Sequence, residues 1–231
     1  MPEAALSLNG VGLKYTSAGV RTHYWALRNA TFEVMKGETL GVVGRNGAGK
    51  SSLLRLLAGV YEPDEGTIER NELTASLIAL QAGFVGHLSG RENALLGGML
   101  MRSSRNQMLE FLPDIREFSD LGDFFLEPVR TYSSGMRARL AFAVSYFCDP
   151  DVILIDEVLG VGDREFREKS KIAMQEKIAS NRTVVLASHQ MGTIRELADR
   201  AIWIERGEVR ALGAVETVLR EYADSASTPK P

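Results

Sequence analysis

Short, fully apolar runs recur along this chain and alternate with stretches in which apolar residues have helical spacing. Three runs of strand length, Thr39–Val43, Val152–Ile155 and Thr183–Ala187, predict buried strands, and a helical pattern follows each of them. Buried strands that alternate with helices are typical of an α/β fold. We therefore expect a mostly parallel sheet that is covered on both faces.

Other segments predict strands of a different kind. Ala5–Tyr15 and Leu27–Val34 alternate apolar and polar residues, which predicts an antiparallel β subdomain, and the polar stretch Thr16–Trp25 between them predicts a loop. Ala201–Gly213 predicts a hairpin with its turn at Arg206-Gly207. Two further short strands are predicted at Thr67–Arg70 and Thr74–Ala79.

The pattern between about 87 and 150 is helical and predicts an inserted helical subdomain. Gly97, Gly98 and Pro113 interrupt this pattern, so several short helices are expected rather than one long helix. We expect a single domain over 1–231, with its core at about 1–86 and 151–223. The last helix is predicted at about Val215–Ala223, followed by a disordered polar tail at 224–231.

The segment VVGRNGAGKSS, from Val42 to Ser52, contains the phosphate-loop pattern G-x-x-x-x-G-K-[ST] between a predicted strand and a predicted helix. Glycines allow backbone angles closed to other residues and let amide N–H groups approach phosphate oxygens. Lys50 is expected to act as a point charge on the terminal phosphates, and Ser51 as a Mg²⁺ ligand. The predicted nucleotide contacts in this loop are Gly44, Asn46, Gly47, Ala48, Gly49, Lys50, Ser51 and Ser52.

Asp156 and Glu157 close a buried run, which places two carboxylates at the rim of the predicted sheet. We expect the strands that carry Gly44 and Asp156 to be neighbours, with the ligand at their carboxyl ends. Asp156 is then placed to hold Mg²⁺ directly or through water, and Glu157 to orient a water for attack on the γ-phosphate. His189 follows a third run and is placed to donate a hydrogen bond to a γ-phosphate oxygen. An acidic pair alone is typical of a solvated strand end, so this interpretation depends on the phosphate loop.

Ser133-Ser134-Gly135 opens a predicted helix and offers hydroxyl and backbone N–H groups to an anion. Alone, this pattern is an ordinary helix cap. It lies far along the chain from the phosphate loop and inside the helical insertion. It therefore fits a nucleotide site that a second copy of the chain completes.

Composition limits the other classes of function. The 231 residues are 45% hydrophobic and 25% charged, which is typical of a globular chain with a substantial core. The net charge of -3 gives no electrostatic reason to expect a nucleic-acid partner. Cys148 is the single cysteine, so no internal disulfide or cysteine metal cluster is expected. The start lacks a signal-peptide pattern and no run of about 18 apolar residues occurs, so we expect a cytoplasmic protein.

Taken in order, these motifs resemble those of the nucleotide-binding subunit of ATP-binding-cassette (ABC) transporters. The resemblance covers nearly the whole chain: GRNGAGKS is similar to Walker A, VILIDE to Walker B, YSSGM at Tyr132–Met136 to the signature, Gly162-Asp163 to the D-loop, and His189 to the switch histidine. The signature departs from the commoner L-S-G-G-Q, with Ser134 in place of the first glycine and Met136 in place of the glutamine.

The resemblance implies a P-loop NTPase cassette with a RecA-like core that hydrolyses ATP with Mg²⁺. It implies a head-to-tail homodimer in which each ATP contacts Walker A of one copy and the signature Ser133, Ser134 and Gly135 of the other, with Asp163 nearby. The glutamine that senses Mg²⁺ and the permease would fall at Gln81. Tyr15 is the best match for the aromatic residue that stacks on adenine, and Tyr24 and Trp25 compete for that role.

The wording of several segments is similar to the subgroup that exports cell-surface polysaccharides of the O-antigen, capsule or teichoic acid type. These segments are RTYSSGMRARLAFAVS, AGFVGHLSGREN, DEVLGVGD and YWALRNATFEV. The subgroup implies a peripheral protein on the cytoplasmic face of the inner membrane, bound to two permease subunits. The longer O-antigen members carry a C-terminal carbohydrate-binding domain. We expect none here, and we expect the cargo to be recognised through the permease.

Two alternatives remain open from the sequence. An ABC importer, or a peptide or lipid exporter, differs only in cargo. A soluble ABC protein acting on DNA or ribosomes is less favoured, because the chain has one Walker A motif and no sustained heptads.

Overall fold

A computed structural model describes residues 3–16, 23–71, 73–78, 83–148, 150–156, 163–180 and 182–227. Three residues with predicted roles lie outside the described residues: Gln81, Glu157 and Gly162 of the D-loop. The chain packs as two compact units. The first contains the described residues of 1–77, 151–157 and 178–231, and the second those of 78–150 and 158–177.

A six-stranded sheet forms the centre of the first unit. In chain order its strands are β3 (Thr39–Val43), β5 (Ala75–Ile78), β6 (Val152–Asp156), β7 (Thr183–Ala187), β8 (Arg200–Glu205) and β9 (Glu208–Ala214), and their order in space is β5-β6-β7-β3-β8-β9. β7 is parallel to both β6 and β3, and β3 is parallel to β8. β9 returns antiparallel to β8 through the predicted turn at Arg206-Gly207, where both residues have positive φ. The predicted mostly parallel sheet is therefore confirmed.

The strand order corrects one prediction. β3 and β6 are not neighbours, because β7 lies between them. All three strands are short apolar runs, so their hydrophobic pattern predicts that each is interior but does not give their order. The carboxyl ends of all three strands still meet at one edge of the sheet.

A second, antiparallel sheet of three strands has the order β2-β1-β4 and consists of β1 (Ala4–Thr16), β2 (His23–Met35) and β4 (Glu65–Glu69). The predicted loop over Thr16–Trp25 is wrong at its carboxyl end, because β2 already begins at His23. Tyr24 pairs across the strands with Tyr15, and Trp25 pairs with Lys14. These cross-strand contacts, which a single-strand pattern does not reveal, extend the ribbon.

Among its described residues, the first unit also contains the helices α1 (Lys50–Leu57), α6 (Met191–Leu197) and α7 (Val215–Ser227). The side chains of Leu53, Leu54 and Leu56 on α1 are fully buried in the core. Arg70 donates hydrogen bonds to the carbonyl oxygens of Leu56 and Leu57, which satisfies the last turn of this helix.

The predicted disordered tail begins too early. α7 continues through Ser227, so the prediction is wrong for residues 224–227, and residues 228–231 lie outside the described part. In this last stretch Ser225 Oγ donates a hydrogen bond to the Tyr222 carbonyl oxygen, and the Tyr222 ring packs on Trp203 of β8. The aromatic contact anchors the helix just before this last stretch.

Helices dominate the second unit. They are α2 (Gly90–Leu100), α3 (Arg105–Ser119), α4 (Ser134–Phe147) and α5 (Arg164–Ile178), with 3₁₀-helices at Gly122–Leu126 and Val129–Thr131. Ser89 with Glu92, and Ser104 with Gln107, form capping boxes that start α2 and α3. Several helices were predicted here and are confirmed. The second unit also contains nearly all of α5, which the sequence analysis assigned to the core.

The predicted helix breaks at glycine and proline are wrong. Pro113 lies inside α3, which continues for six more residues, and Gly97 and Gly98 lie inside α2. A Cβ on Gly98 would lie 2.1 Å from Met108 Sδ, so this glycine permits close packing of α2 on α3. Packing of this kind overrides the weak local preference against glycine in a helix. Across the described residues, we find no helix with the length and hydrophobicity to cross a bilayer.

Candidate functional site

The phosphate loop joins the carboxyl end of β3 to α1, as the sequence predicts. Gly49 is the residue before α1 and has φ of 112°, in the region that favours glycine. A Cβ at this position would lie 2.2 Å from the carbonyl oxygen of Ala26. The loop backbone is therefore held so close to β2 that only glycine fits at this position.

The turn between β8 and β9 braces the same loop. The Gly207 N–H donates to the Ala48 carbonyl oxygen at 2.9 Å, and the Arg28 N–H donates to the Gly207 carbonyl oxygen at 2.8 Å. The turn was predicted from the sequence but its contact with the loop was not, since the two segments lie more than 150 residues apart. In the sequence, only the Arg206-Gly207 dipeptide indicates a turn at this position.

Lys50 is a buried cation at the base of the loop. Its Nζ donates to the carbonyl oxygens of Gly44 at 2.7 Å and Arg45 at 3.2 Å. Burial lowers the pKa of Lys50, and the negative charge of Asp156 partly opposes this shift. A buried ammonium with mostly carbonyl partners is suited to an anionic ligand, which would compensate its charge.

Two tyrosines stand beside the loop. A cavity of about 340 Å³ is lined by Tyr15, Tyr24, Ala26 and the loop residues 46–52. Tyr15 Oη lies 3.2 Å from Ser52 Oγ, and Tyr24 Oη donates to the Gly47 carbonyl oxygen at 3.1 Å. Successive strand residues point to opposite faces, and Trp25 accordingly packs under Lys14, whose Nζ is 4.2 Å from the ring centre. Of the three aromatic candidates, Tyr15 and Tyr24 line the cavity.

The predicted acidic and histidine positions lie at the same sheet edge as the loop. Asp156 pairs in register with Ala187 of β7, and Val42 of β3 pairs with Ala187 from the other side. Asp156 is half-buried, and His189 is exposed two residues beyond the end of β7. The Ser188 N–H donates to the Val42 carbonyl oxygen, which ties the residue before His189 to the strand of the phosphate loop.

The signature residues start α4 in the second unit. Ser133 is the N-cap, and its Oγ accepts a hydrogen bond from the Met136 N–H at 3.1 Å. Ser134 is exposed and Gly135 is half-buried in the first turn. The predicted helix cap is therefore confirmed. With the Met136 N–H used in the cap, the other amide N–H groups of such a first turn suit an anion.

Asp163 starts α5 in the same unit. Its Oδ1 accepts a hydrogen bond from the Phe166 N–H at 3.0 Å, and its Oδ2 lies 3.2 Å from Arg139 Nη2. The Phe166 amide, with a smaller contribution from Arg139, lowers the pKa of Asp163. Arg139 lies on α4, so an ion pair that the sequence analysis did not predict joins the D-loop residue to the signature helix.

These features define a phosphate-loop nucleotide-binding fold: a glycine loop with a buried lysine at the carboxyl edge of a mostly parallel sheet, and an acidic residue at the same edge. A family model described as ABC transporter matches residues 27–160, more than half of the chain. The chain belongs to the ABC transporter family.

Several curated proteins are similar to this chain. It is 44% identical over 202 residues to the O-antigen export system ATP-binding protein RfbB of Myxococcus xanthus, covering 87% of this chain and 46% of that protein. It is 42% identical to the teichoic acids export ATP-binding protein TagH of Listeria monocytogenes serotype 4b, covering 86% of this chain and 59% of that protein. The chain thus spans about half the length of these relatives.

Solved structures agree on the fold. A structure titled as the ATP binding subunit of an ABC transporter has a TM-score of 0.77 at 22% identity, covering 95% of this chain and 93% of that chain. A dimeric ATP-binding cassette bound to ADP and Pi has a TM-score of 0.71 at 22% identity, covering 91% of this chain and 98% of that chain. The P-loop ABC cassette fold predicted from the sequence is confirmed.

Proposed function

We propose that this chain binds and hydrolyses ATP to power export of a lipid-linked cell-surface polysaccharide across the cytoplasmic membrane. The named export function of the two relatives supports the cargo class. The observation that carries the ATPase proposal is the buried Lys50 ammonium at the base of a loop braced by β2 and the β8–β9 turn.

The residues beside this loop fit Mg·ATP. The loop amides and Lys50 would hold the phosphates, and Tyr15 would stack on adenine in the cavity that it lines with Tyr24. Ser51, Asp156 and Gln81 would hold Mg²⁺, which neutralises phosphate charge when bound. Ser51 is half-buried at the start of α1, and Asp156 is half-buried at the same sheet edge, where its charge acts on Lys50.

Two further residues act on the attacking water and the γ-phosphate. Glu157 directly follows Asp156, and we assign it the role of orienting the water and accepting its proton. His189 follows the central strand β7 and would donate a hydrogen bond to a γ-phosphate oxygen. The chemistry is mainly positioning and stabilisation of charge.

The proposed active form is a head-to-tail homodimer. Each nucleotide would contact the phosphate loop of one copy and Ser133, Ser134 and Gly135 of the second copy, with Asp163 beside them. The capped first turn of α4 supports this role, because its backbone N–H groups suit a phosphate.

The proposed partners are two permease subunits, which the chain would meet at the cytoplasmic face of the membrane. No nucleic-acid partner is proposed. In the second unit, a cavity of about 720 Å³ has apolar walls that include Leu109, Leu112, Phe125 and Leu126, with Arg91 and Glu117 among its polar residues. This groove, which we call the docking groove, is suited to an amphipathic segment of a permease. The cargo would meet the permease rather than this chain.

The ATPase proposal is tested with Glu157→Gln. This variant should bind ATP as the wild type does but lower kcat by about 100-fold or more, because the water loses its base. With ATP and Mg²⁺ it should also form a species with the mass of two chains in light scattering. Glu110→Gln, at an exposed position of α3, is the control and should hydrolyse ATP normally. Normal turnover by Glu157→Gln would show that Glu157 is not the base.

The cargo is tested in cells that lack the gene. In these cells we expect a lipid-linked glycan to accumulate on the cytoplasmic side. In cells that express a tagged copy, the tagged protein should co-purify with a polytopic membrane protein. Accumulation of another kind of substrate would show that the cargo is not a polysaccharide. Recovery with ribosomes or DNA and without membranes would contradict the transporter proposal.

A further inference from the structure

Tyr132 directly precedes the signature serine and is held at three separate atoms. Its N–H donates to the Val129 carbonyl oxygen at 3.0 Å, and its carbonyl oxygen accepts from Arg137 Nη1 at 2.8 Å. Its hydroxyl donates to the carbonyl oxygen of Phe124. The side chain is buried, with 4% of its surface exposed. Hydrogen bonds of both the main chain and the side chain of Tyr132 therefore fix the backbone just before Ser133.

The hydroxyl contact leads directly to the docking groove. Phe124 belongs to the 3₁₀-helix Gly122–Leu126, and the next two residues, Phe125 and Leu126, line the groove. Phe124 and Leu126 themselves have exposed side chains. One hydrogen bond thus joins a groove wall to the residue before Ser133.

The first residue of α2 leaves room for this hydroxyl. A Cβ on Gly90 would lie 2.2 Å from Tyr132 Oη, closer than real Cβ atoms approach a neighbour. Arg91, the next residue, also lines the groove. Packing against the Tyr132 hydroxyl therefore explains the glycine at position 90, where helix propensity alone would favour alanine.

Burial raises the pKa of the Tyr132 hydroxyl. The group keeps its proton throughout the physiological range and remains a hydrogen-bond donor. A phenylalanine at this position would retain the ring packing and remove the hydroxyl, with its hydrogen bonds to the Phe124 carbonyl oxygen and the Gly90 backbone.

We propose that Tyr132 is a positioning residue whose hydroxyl couples the groove wall to the signature loop, so that Ser133 is correctly placed only while the 3₁₀-helix is in contact. This inference rests on the proposed ATPase and its signature site. It adds one specific hydrogen bond. Through this bond, a permease segment in the docking groove would act on the signature loop, which contacts the nucleotide held by the second copy.

The first test measures ATP hydrolysis by Tyr132→Phe over a range of ATP concentrations. We expect kcat to fall about fivefold, roughly what the loss of one hydrogen bond supplies, with KM changed less than about twofold. The split follows because the phosphate loop, which binds ATP, is intact. Tyr222→Phe, on α7 in the other unit, is the matched control and should leave kcat unchanged.

A double-mutant cycle separates positioning from general damage. Gly90→Ala should lower kcat more than Tyr132→Phe does, because its Cβ displaces the hydroxyl. The double variant should be faster than Gly90→Ala alone, since removal of the hydroxyl relieves the closest contact and leaves the Phe125 carbonyl oxygen at 3.0 Å and Tyr132 Cζ at 3.2 Å. A double variant that is no faster than Gly90→Ala, or a Tyr132→Phe enzyme within the error of the wild type, would overturn the proposal.

Hydrogen exchange gives a reading that does not depend on activity. Tyr132→Phe should exchange faster than the wild type in peptides that cover 122–127 and 133–139, and Tyr222→Phe should not. If the wild type hydrolysed no ATP, the proposed function would fail, and exchange would still decide the coupling. Unchanged exchange in both peptides would refute it.

Discussion

Individual residues in the phosphate loop owe their identity to different surroundings. Gly47 and Gly49 both have positive φ, at 78° and 112°. A Cβ on Gly47 would meet nothing within 4 Å, whereas a Cβ on Gly49 would collide with the Ala26 carbonyl oxygen. Gly47 is therefore required only by its backbone angle, and Gly49 also by the strand behind it.

This difference gives a prediction for the matched pair Gly47→Ala and Gly49→Ala. Gly47→Ala should lower the free energy of unfolding by about 1 to 2 kcal/mol, the cost of a left-handed conformation for a residue with a Cβ. Gly49→Ala should cost more than about 4 kcal/mol, because the backbone of β2 must also move. Urea unfolding without nucleotide measures both values. Equal losses would show that the close contact with Ala26 does not matter.

The aromatic candidates also differ at the level of single residues. Sequence reasoning placed Tyr15, Tyr24 and Trp25 near adenine without separating Tyr24 from Trp25. Because β2 begins at His23, these two adjacent residues point to opposite faces, and Tyr24 reaches the loop while Trp25 packs against Lys14. The start of the strand therefore decides which aromatic side chain lines the cavity.

A short polar contact joins two segments of the first unit that are distant in sequence. Asp151, just before β6, accepts hydrogen bonds through Oδ2 from the Thr74 N–H at 2.8 Å and the Thr74 Oγ1 at 2.7 Å. These hydrogen bonds, the backbone N–H first, lower the pKa of Asp151. The contact fixes the segment before β5 to the segment before β6.

The pKa shift predicts how this contact depends on pH. A carboxyl whose folded pKa is lowered stabilises the fold fully above its unfolded pKa of about 3.9, and the contribution is lost as the pH falls through the folded pKa. Because the Asp151 carboxyl is exposed and solvent weakens its contacts, Asp151→Ala should lower the free energy of unfolding by no more than about 1 kcal/mol at pH 7. The difference from the wild type should shrink as the pH is lowered below about 4.

Asp151→Asn is the matched control for this experiment. It keeps one oxygen acceptor without a titrating charge, so its deficit should be smaller than that of Asp151→Ala at neutral pH. Urea unfolding at a series of pH values measures all three proteins. A constant gap between Asp151→Ala and the wild type down to the lowest pH would contradict the assigned ionisation.

At the scale of the element, hydrophobic pattern predicted the strands well and their arrangement poorly. β3 and β7 have the predicted bounds, because a fully apolar run closed by turn residues is a strong local signal. The position of β7 between β3 and β6 depends on contacts among distant segments, which the pattern does not contain. Pro113 was predicted to interrupt the helical pattern, whereas α3 continues past it.

The whole molecule should respond to nucleotide through linkage. A ligand that binds only the folded chain raises its stability by about 2.7 kcal/mol at 100 times Kd, which corresponds to roughly 5 to 10 °C in Tm for a chain of this size. We expect this shift with Mg·ADP, because the phosphate loop is already held in place by its contacts with the β8–β9 turn. Differential scanning fluorimetry measures it.

Lys50→Ala is the control for the nucleotide response. Without the buried ammonium the phosphates lose their point charge, and the shift in Tm should nearly vanish at the same Mg·ADP concentration. Lys36→Ala, an exposed lysine that pairs with Glu3 at the surface, should keep the full shift. An unchanged response in Lys50→Ala would place the nucleotide away from this loop.

The sequence by itself determined the local chemistry: the glycine loop with Lys50, the acidic end of the Val152–Asp156 run, the capped start of the signature helix and the family. These features are set within a few residues, by allowed backbone angles, side-chain charge and hydrophobic period. The tertiary structure alone decided the order of the strands, the bracing of the loop by Gly207, the choice between Tyr24 and Trp25, and the contact of Tyr132 with Phe124. Each of these depends on which distant segments pack together, and a linear pattern does not encode that choice.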